Sequence, residues 1–157
     1  MSKGLSGHFN GTAGFLHALA EEVFDRIMPN GAKNIDFSHL PGSKGIQIKK
    51  RLTDKQMDFL TREYGVEFAQ VYELGPGKKG RGGRYMIYSG ISNRVIIPVT
   101  NKTILINHTH PKGTARPSPD DLVLLALIKQ AGSPQKTSSI IPLGKATVKF
   151  TLKGLKT

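Results

Sequence analysis

Between Thr12 and Pro29 the apolar residues Phe15, Leu16, Leu19, Val23, Phe24 and Ile27 recur at spacings of three and four, which predicts a helix with one buried face. Thr12 is suited to cap it and Pro29 to stop it, while His17 reads as a flank residue. Residues 30–51 carry turns, a loop histidine at His39 and a short strand at GIQIKK. A second helix is predicted in LTDKQMDFLTREYG, with Thr53 as N-cap, Gln56 at the third helical position of a capping box, and Gly65 at its end. The extended segment VEFAQVYEL follows, then the loop or hairpin GPGKKGRGGR, then three strands at YMIYSG, RVIIPV and TILINHTH. A helix from Pro119 to about Gln130 turns Leu122, Leu125, Ala126 and Ile128 towards a core, and SSIIPLG and ATVKFTL close the chain as a strand pair. This order predicts an α+β or three-layer α/β/α fold, a mixed central sheet flanked by helices. Residues 1–11 are expected to be a flexible lead-in, and 12–157 a single domain without internal repeats.

Composition narrows the chemistry more than the fold. A chain of 157 residues supports one modest core. No run approaches the roughly 18 apolar residues of a membrane span. The opening MSKGLSGHFNGTAG does not read as a signal peptide, and it suits a junction with a longer secreted protein. With no cysteine, any transition-metal site must be built from His, Asp and Glu. The formal charge of +12 favours attraction to nucleic acid or to an acidic protein without specifying either. The glycine-rich loop lacks the GK[ST] ending and following helix of a phosphate cradle, so it reads as a solvated loop.

The stretch INHTHPKGTARPSPDD concentrates the candidate chemistry. Alternate residues of a strand share a face, so His108 and His110 point one way and Thr109 the other. Pro111 and Gly113 turn the chain, Ser118 precedes a helix, and Asp121 sits in its first turn. A short strand-to-helix loop can return that carboxylate over the strand end, completing a two-imidazole, one-carboxylate set. Zinc accepts such a set and, in catalytic sites, leaves a fourth position for water. The alternative is purely structural: Ser118 and Asp121 also have capping-box spacing, and a carboxylate favours a helix N-terminus.

The composite of His108, His110, Pro111, Ser118 and Asp121 resembles the H-x-H-P…S-x-x-D signature of the JAMM metallopeptidases, also called the JAB or MPN+ family. INHTHPKGTARPS is especially similar to the RadC-like and bacterial polymorphic-toxin branches. The resemblance spans about residues 52–150 and implies a JAMM/deaminase-like fold. It implies zinc held by His108, His110 and Asp121, with Ser118 supporting the oxyanion or positioning water and substrate. It also requires an upstream glutamate as general acid/base. Glu67, opening the strand-like EFAQVY, stands first, with Glu63 and Glu73 as alternatives. The implied reaction is hydrolysis of a peptide or isopeptide bond in a protein substrate.

The toxin-like branch implies a secreted or delivered module acting in the cytoplasm of a target cell and restrained by an acidic immunity protein. Two other readings stay open. One is a nucleic-acid-directed toxin using Lys78, Lys79, Arg81 and Arg84 with Lys145, Lys149, Lys153 and Lys156 as a phosphate track. The other is a metal-binding interaction module without catalysis. The chain lacks tryptophan, so a stacking platform for bases is not indicated.

Overall fold

The computed structural model describes residues 42–90, 95 and 97–155. The helix expected over 12–29, together with His17, His39 and Lys156, lies outside them. Seven strands form one mixed sheet: β1 (Gly42–Ile48), β2 (Phe68–Glu73), β3 (Arg84–Ser89), β4 (Thr103–His110), β5 (Ser138–Pro142), β6 (Val148–Thr151) and β7 (Gly154–Leu155). Their spatial order is β1-β3-β2-β4-β5-β6-β7, so β4 is the central strand. Among the described strands only β4 and β5 run parallel, and the helix α2 (Pro119–Gln130) is the crossover between them. The helix α1 (Asp54–Tyr64) covers one face and α2 the other, which makes three α/β/α-like layers.

Pleat alternation sorts the core into these layers. Phe68, Ile87 and Ile141 join Met57 and Leu60 of α1. Their strand neighbours Ala69, Met86 and Tyr88 join Leu105 of β4 and Ile128 of α2, while Ile140 and Phe150 pack on Leu125. Thr53 and Gln56 form the expected capping box on α1, with the Gln56 side chain 2.7 Å from the Thr53 N–H. Gly65 ends the helix at φ 70°, a conformation that costs glycine little.

RVIIPV departs from the strand expected there. Among its described residues, Val95 and 97–99 adopt no regular strand, and Pro98 can donate no ladder hydrogen bond. Instead, Ile97, with Val95 and Val99 beside it, packs into the α2-side core. The glycine-rich segment is a tight connection between β2 and β3. The Tyr72 hydroxyl donates to Gly80 O and accepts the Gly83 N–H, and a Cβ on Gly83 would lie 1.9 Å from Glu73 O. Those glycines serve the turn itself.

The β2–β4 ladder contains the irregularity that positions the site. Gln70 pairs with Asn107 and Val71 with Leu105, leaving Ile106 as an extra residue, a β-bulge. Strict alternation from Leu105 would send residues 107 and 109 to the α2 side. The bulge shifts the phase by one, so Leu105, His108 and His110 all face α2.

Candidate metal centre

Glu67 immediately precedes β2, His108 and His110 end β4, and Asp121 lies in the first turn of α2. One nitrogen or oxygen from each of these four residues lies within 4.8 Å of the others, and all four side chains are buried. His108 Nε2 is 3.1 Å from His110 Nε2, and each is 3.0 Å from a different oxygen of Asp121. Glu67 stands back, its Oε1 4.0 Å from His108 Nε2.

The His110 ring is oriented by Nδ1–H, which donates to Thr114 O at 2.7 Å and leaves Nε2 for the cluster. The turn that brings Thr114 there begins at Pro111 and closes with Gly113 N–H on His110 O at 2.9 Å. His108 is braced by packing: its ring meets Phe150 edge-on at 6.0 Å, while its buried Nδ1 has no hydrogen-bond partner. On the opposite face, the Thr109 hydroxyl bonds to Thr61 Oγ1 and accepts the Phe68 N–H at 2.9 Å. It thereby ties the start of β2, and with it Glu67, to the strand that carries both histidines.

The capping and ligand roles of Asp121 coexist. Ser118 N–H donates to Asp121 Oδ2 at 2.8 Å, and Asp121 N–H donates to Ser118 Oγ at 3.1 Å, completing a capping box with Asp at the position where Glu or Gln is usual. The same Oδ2 faces His110. The cap therefore holds the carboxylate over the strand end.

Burial opposes ionisation of Asp121, but hydrogen bonds from His108, His110 and the Ser118 N–H outweigh it and hold the carboxyl well below the usual range. His110 is raised although burial works against its charged form, because Asp121 and the Thr114 carbonyl favour the imidazolium. Glu67 is pushed up from 4.5 to about 8, first by burial and then by the negative Asp121, with His110 acting the other way.

This donor set fits a divalent cation. If both Nε2 atoms donate to the Asp121 oxygens, their own 3.1 Å approach sets two N–H groups together with no acceptor between them, whereas a cation among the three groups satisfies every contact. Tetrahedral zinc with ligands at about 2.0–2.1 Å holds its donors about 3.3–3.4 Å apart, close to the observed spacing. His108, His110 and Asp121 would be the ligands, with Glu67 beside them.

Neither alternative acid joins the cluster. Glu63 lies on α1, against the other face of the sheet. Glu73, at the far end of β2, pairs with Arg84 at 2.6 Å. Lys78, Lys79 and Arg81 belong to that distant end too, about 20 Å away by the rise of a six-residue strand. Lys112 and Arg116, which sequence reasoning passed over, line a cavity beside His110 and Ser118. Thr109 was also missed as a tether; its one signal was a polar residue on the core-facing side of a buried strand.

Among the described residues, no helix is long and apolar enough to cross a membrane. Comparison with protein-family models, curated proteins and solved structures returns no match.

Proposed function

We propose that the protein is a zinc-dependent hydrolase of peptide or isopeptide bonds, of JAMM type. The observation that carries the reading is the convergence of His108 Nε2, His110 Nε2 and both Asp121 oxygens at 3.0–3.1 Å, with a protonatable Glu67 next to them. Zinc in such a site lowers the pKa of water towards about 7 and polarises a carbonyl. Glu67 takes the proton from the attacking water and returns it to the leaving amine. Its buried position keeps that carboxyl near the substrate and away from bulk solvent. Among the described residues the Ser118 hydroxyl accepts the Asp121 N–H and donates to no acceptor, which leaves its proton for the developing oxyanion. No acyl-enzyme is required.

Elemental analysis and a hydrolysis assay on wild type, His108→Ala, Asp121→Ala and Glu67→Gln test this reading. Zinc is expected in wild type and Glu67→Gln only, and Glu67→Gln should lose roughly 100-fold or more in turnover. Equal metal in all four proteins refutes the ligand assignment.

The resemblance of INHTHPKGTARPS to toxin-associated branches of that family extends the proposal to a delivered toxin module that cleaves a cytoplasmic protein and is neutralised by an acidic immunity protein. The charge of +12 supports such a partner. Association with it should slow as salt screens attraction beyond about 8 Å. The distance between the basic β2–β3 connection and the cluster removes Lys78, Lys79 and Arg81 from any phosphate track at the site.

A further inference from the structure

The buried cluster sits between two cavities, one with acidic residues and the other with basic residues in its lining, and Glu67 lines both. The first, of about 240 Å³, is walled by Val95, Ile97 and Val99 on one side and Val123, Leu124 and Leu127 of α2 on the other. It also contains His108, Asp120 and Asp121. Two of its apolar residues are conspicuously open, Val123 at 56% and Leu127 at 47% exposure. The second cavity, of about 200 Å³, contains His110, Ser118, Lys112 and Arg116. Each is smaller than the roughly 300 Å³ at which a pocket encloses a whole small ligand, so each fits part of one.

We propose that the substrate is a peptide with an apolar residue on the amino side of the scissile bond and a carboxylate on its carboxyl side. The apolar side chain enters the groove against α2, and the carboxylate meets Lys112 and Arg116. This inference rests on the metallohydrolase reading above and narrows its substrate.

Charge sets the direction. Asp120 at the apolar cavity repels an acid and attracts the amino end of a peptide, while Lys112 and Arg116 at the other cavity do the reverse. A peptide's own polarity, positive at its amino end and negative at its carboxyl end, therefore matches the cleft in one orientation. Leu127 and Val123 lose exposed apolar surface only when the groove is filled. Both a terminal α-carboxylate and an acidic side chain offer the same chemistry to Lys112 and Arg116.

The test is calorimetric binding of phosphinic dipeptide analogues, in which a phosphinate replaces the scissile amide, to the zinc-loaded protein. The reference probe places leucine on the amino side and alanine with a free terminal carboxylate on the other. Three comparison probes carry a terminal carboxamide, a carboxamide with glutamate in place of alanine, and a methyl in place of the isobutyl group.

The free acid is expected to bind on the order of tenfold tighter than the alanine carboxamide, as charge-assisted contacts allow. The isobutyl probe should exceed the methyl probe by about tenfold, as partial burial of the extra carbons allows. Lys112→Ala with Arg116→Ala should level acid and amide, and Leu127→Asp should level isobutyl and methyl. A glutamate carboxamide that matches the free acid supports the proposal and assigns the carboxylate to a side chain. One that matches the alanine carboxamide assigns it to the chain terminus. Equal binding of the free-acid, carboxamide and methyl probes overturns the substrate assignment and leaves the metal centre standing. Failure of every probe to bind overturns both.

Discussion

Metal-free protein should lose stability as pH rises through the range in which Glu67 ionises, and Glu67→Gln should abolish that loss. In the folded chain Glu67 is raised from 4.5 to about 8, so the native state holds its proton where the unfolded chain has released it. The unfolded state then binds fewer protons than the native one, and unfolding free energy falls with pH across that interval. The stabilisation is complete below about 4.5, declines above it, and is gone beyond about 8. At 1.36 kcal/mol per pKa unit the full swing is on the order of 5 kcal/mol. That is comparable with the lower end of total stability for a domain, about 5–15 kcal/mol.

The assay is urea denaturation at half-unit steps from pH 4.5 to 8.5 with a chelator present, repeated with zinc. His110, also raised, adds a slope of the same sign, so the informative quantity is the difference between wild type and Glu67→Gln. That difference should favour the variant by a few kcal/mol at pH 8.5. It should shrink when zinc is present, because a divalent cation beside the carboxylate stabilises its charged form. Parallel curves for the two metal-free proteins would refute the account of Glu67 as a buried, proton-holding acid.

Thr109→Val should cost about 1–3 kcal/mol, because the Phe68 N–H and Thr61 hydroxyl lose a buried partner; Thr109→Ser should recover most of it, and equal melting of wild type and Thr109→Val would exclude the tether. Ser118→Gly should melt within a few tenths of a kcal/mol of wild type, since glycine is a tolerable N-cap, yet turn over on the order of 100-fold more slowly. Undiminished turnover would remove the hydroxyl from the chemistry. Deleting Ile106 should restore a regular β2–β4 ladder and leave Leu105, His108 and His110 all facing α2, because the bulge only absorbs that one extra residue, so zinc content and the strand signal in circular dichroism should both be retained. Zinc at background in a folded variant would refute the account of Ile106 as the extra residue that sets the facing of the histidines.

How far each part could be read from the chain follows from how local its determinants are. Thr53, Gln56 and Gly65 announce α1 within a dozen residues, and Ser118, Pro119 and Asp121 do the same for α2. The central position of β4 was legible from its apolar run. RVIIPV misled because its alternation satisfies a strand pattern, whereas its burial comes from lying against α2. The bulge at Ile106 carries no glycine or proline to mark it, and only pairing with β2 exposes it. For the site, the residues 108–121 held their own spacing signal. The choice among Glu63, Glu67 and Glu73 depended on which sheet face each meets, a property of the assembled layers.

The cluster is also uneven in chain separation, and this bears on the order in which it forms. His110 and Asp121 are 11 residues apart, whereas the Phe68–Thr109 bond that brings in Glu67 closes a separation of 41. On loop-closure entropy alone, the second costs about 1.2 kcal/mol more than the first. The imidazoles and the aspartate can therefore meet while β2 is still unpaired, and the acid arrives with the long-range ladder. A folding chain would thus gain its capacity to hold a cation before its capacity to move a proton, and remain hydrolytically silent until the central strands have zipped.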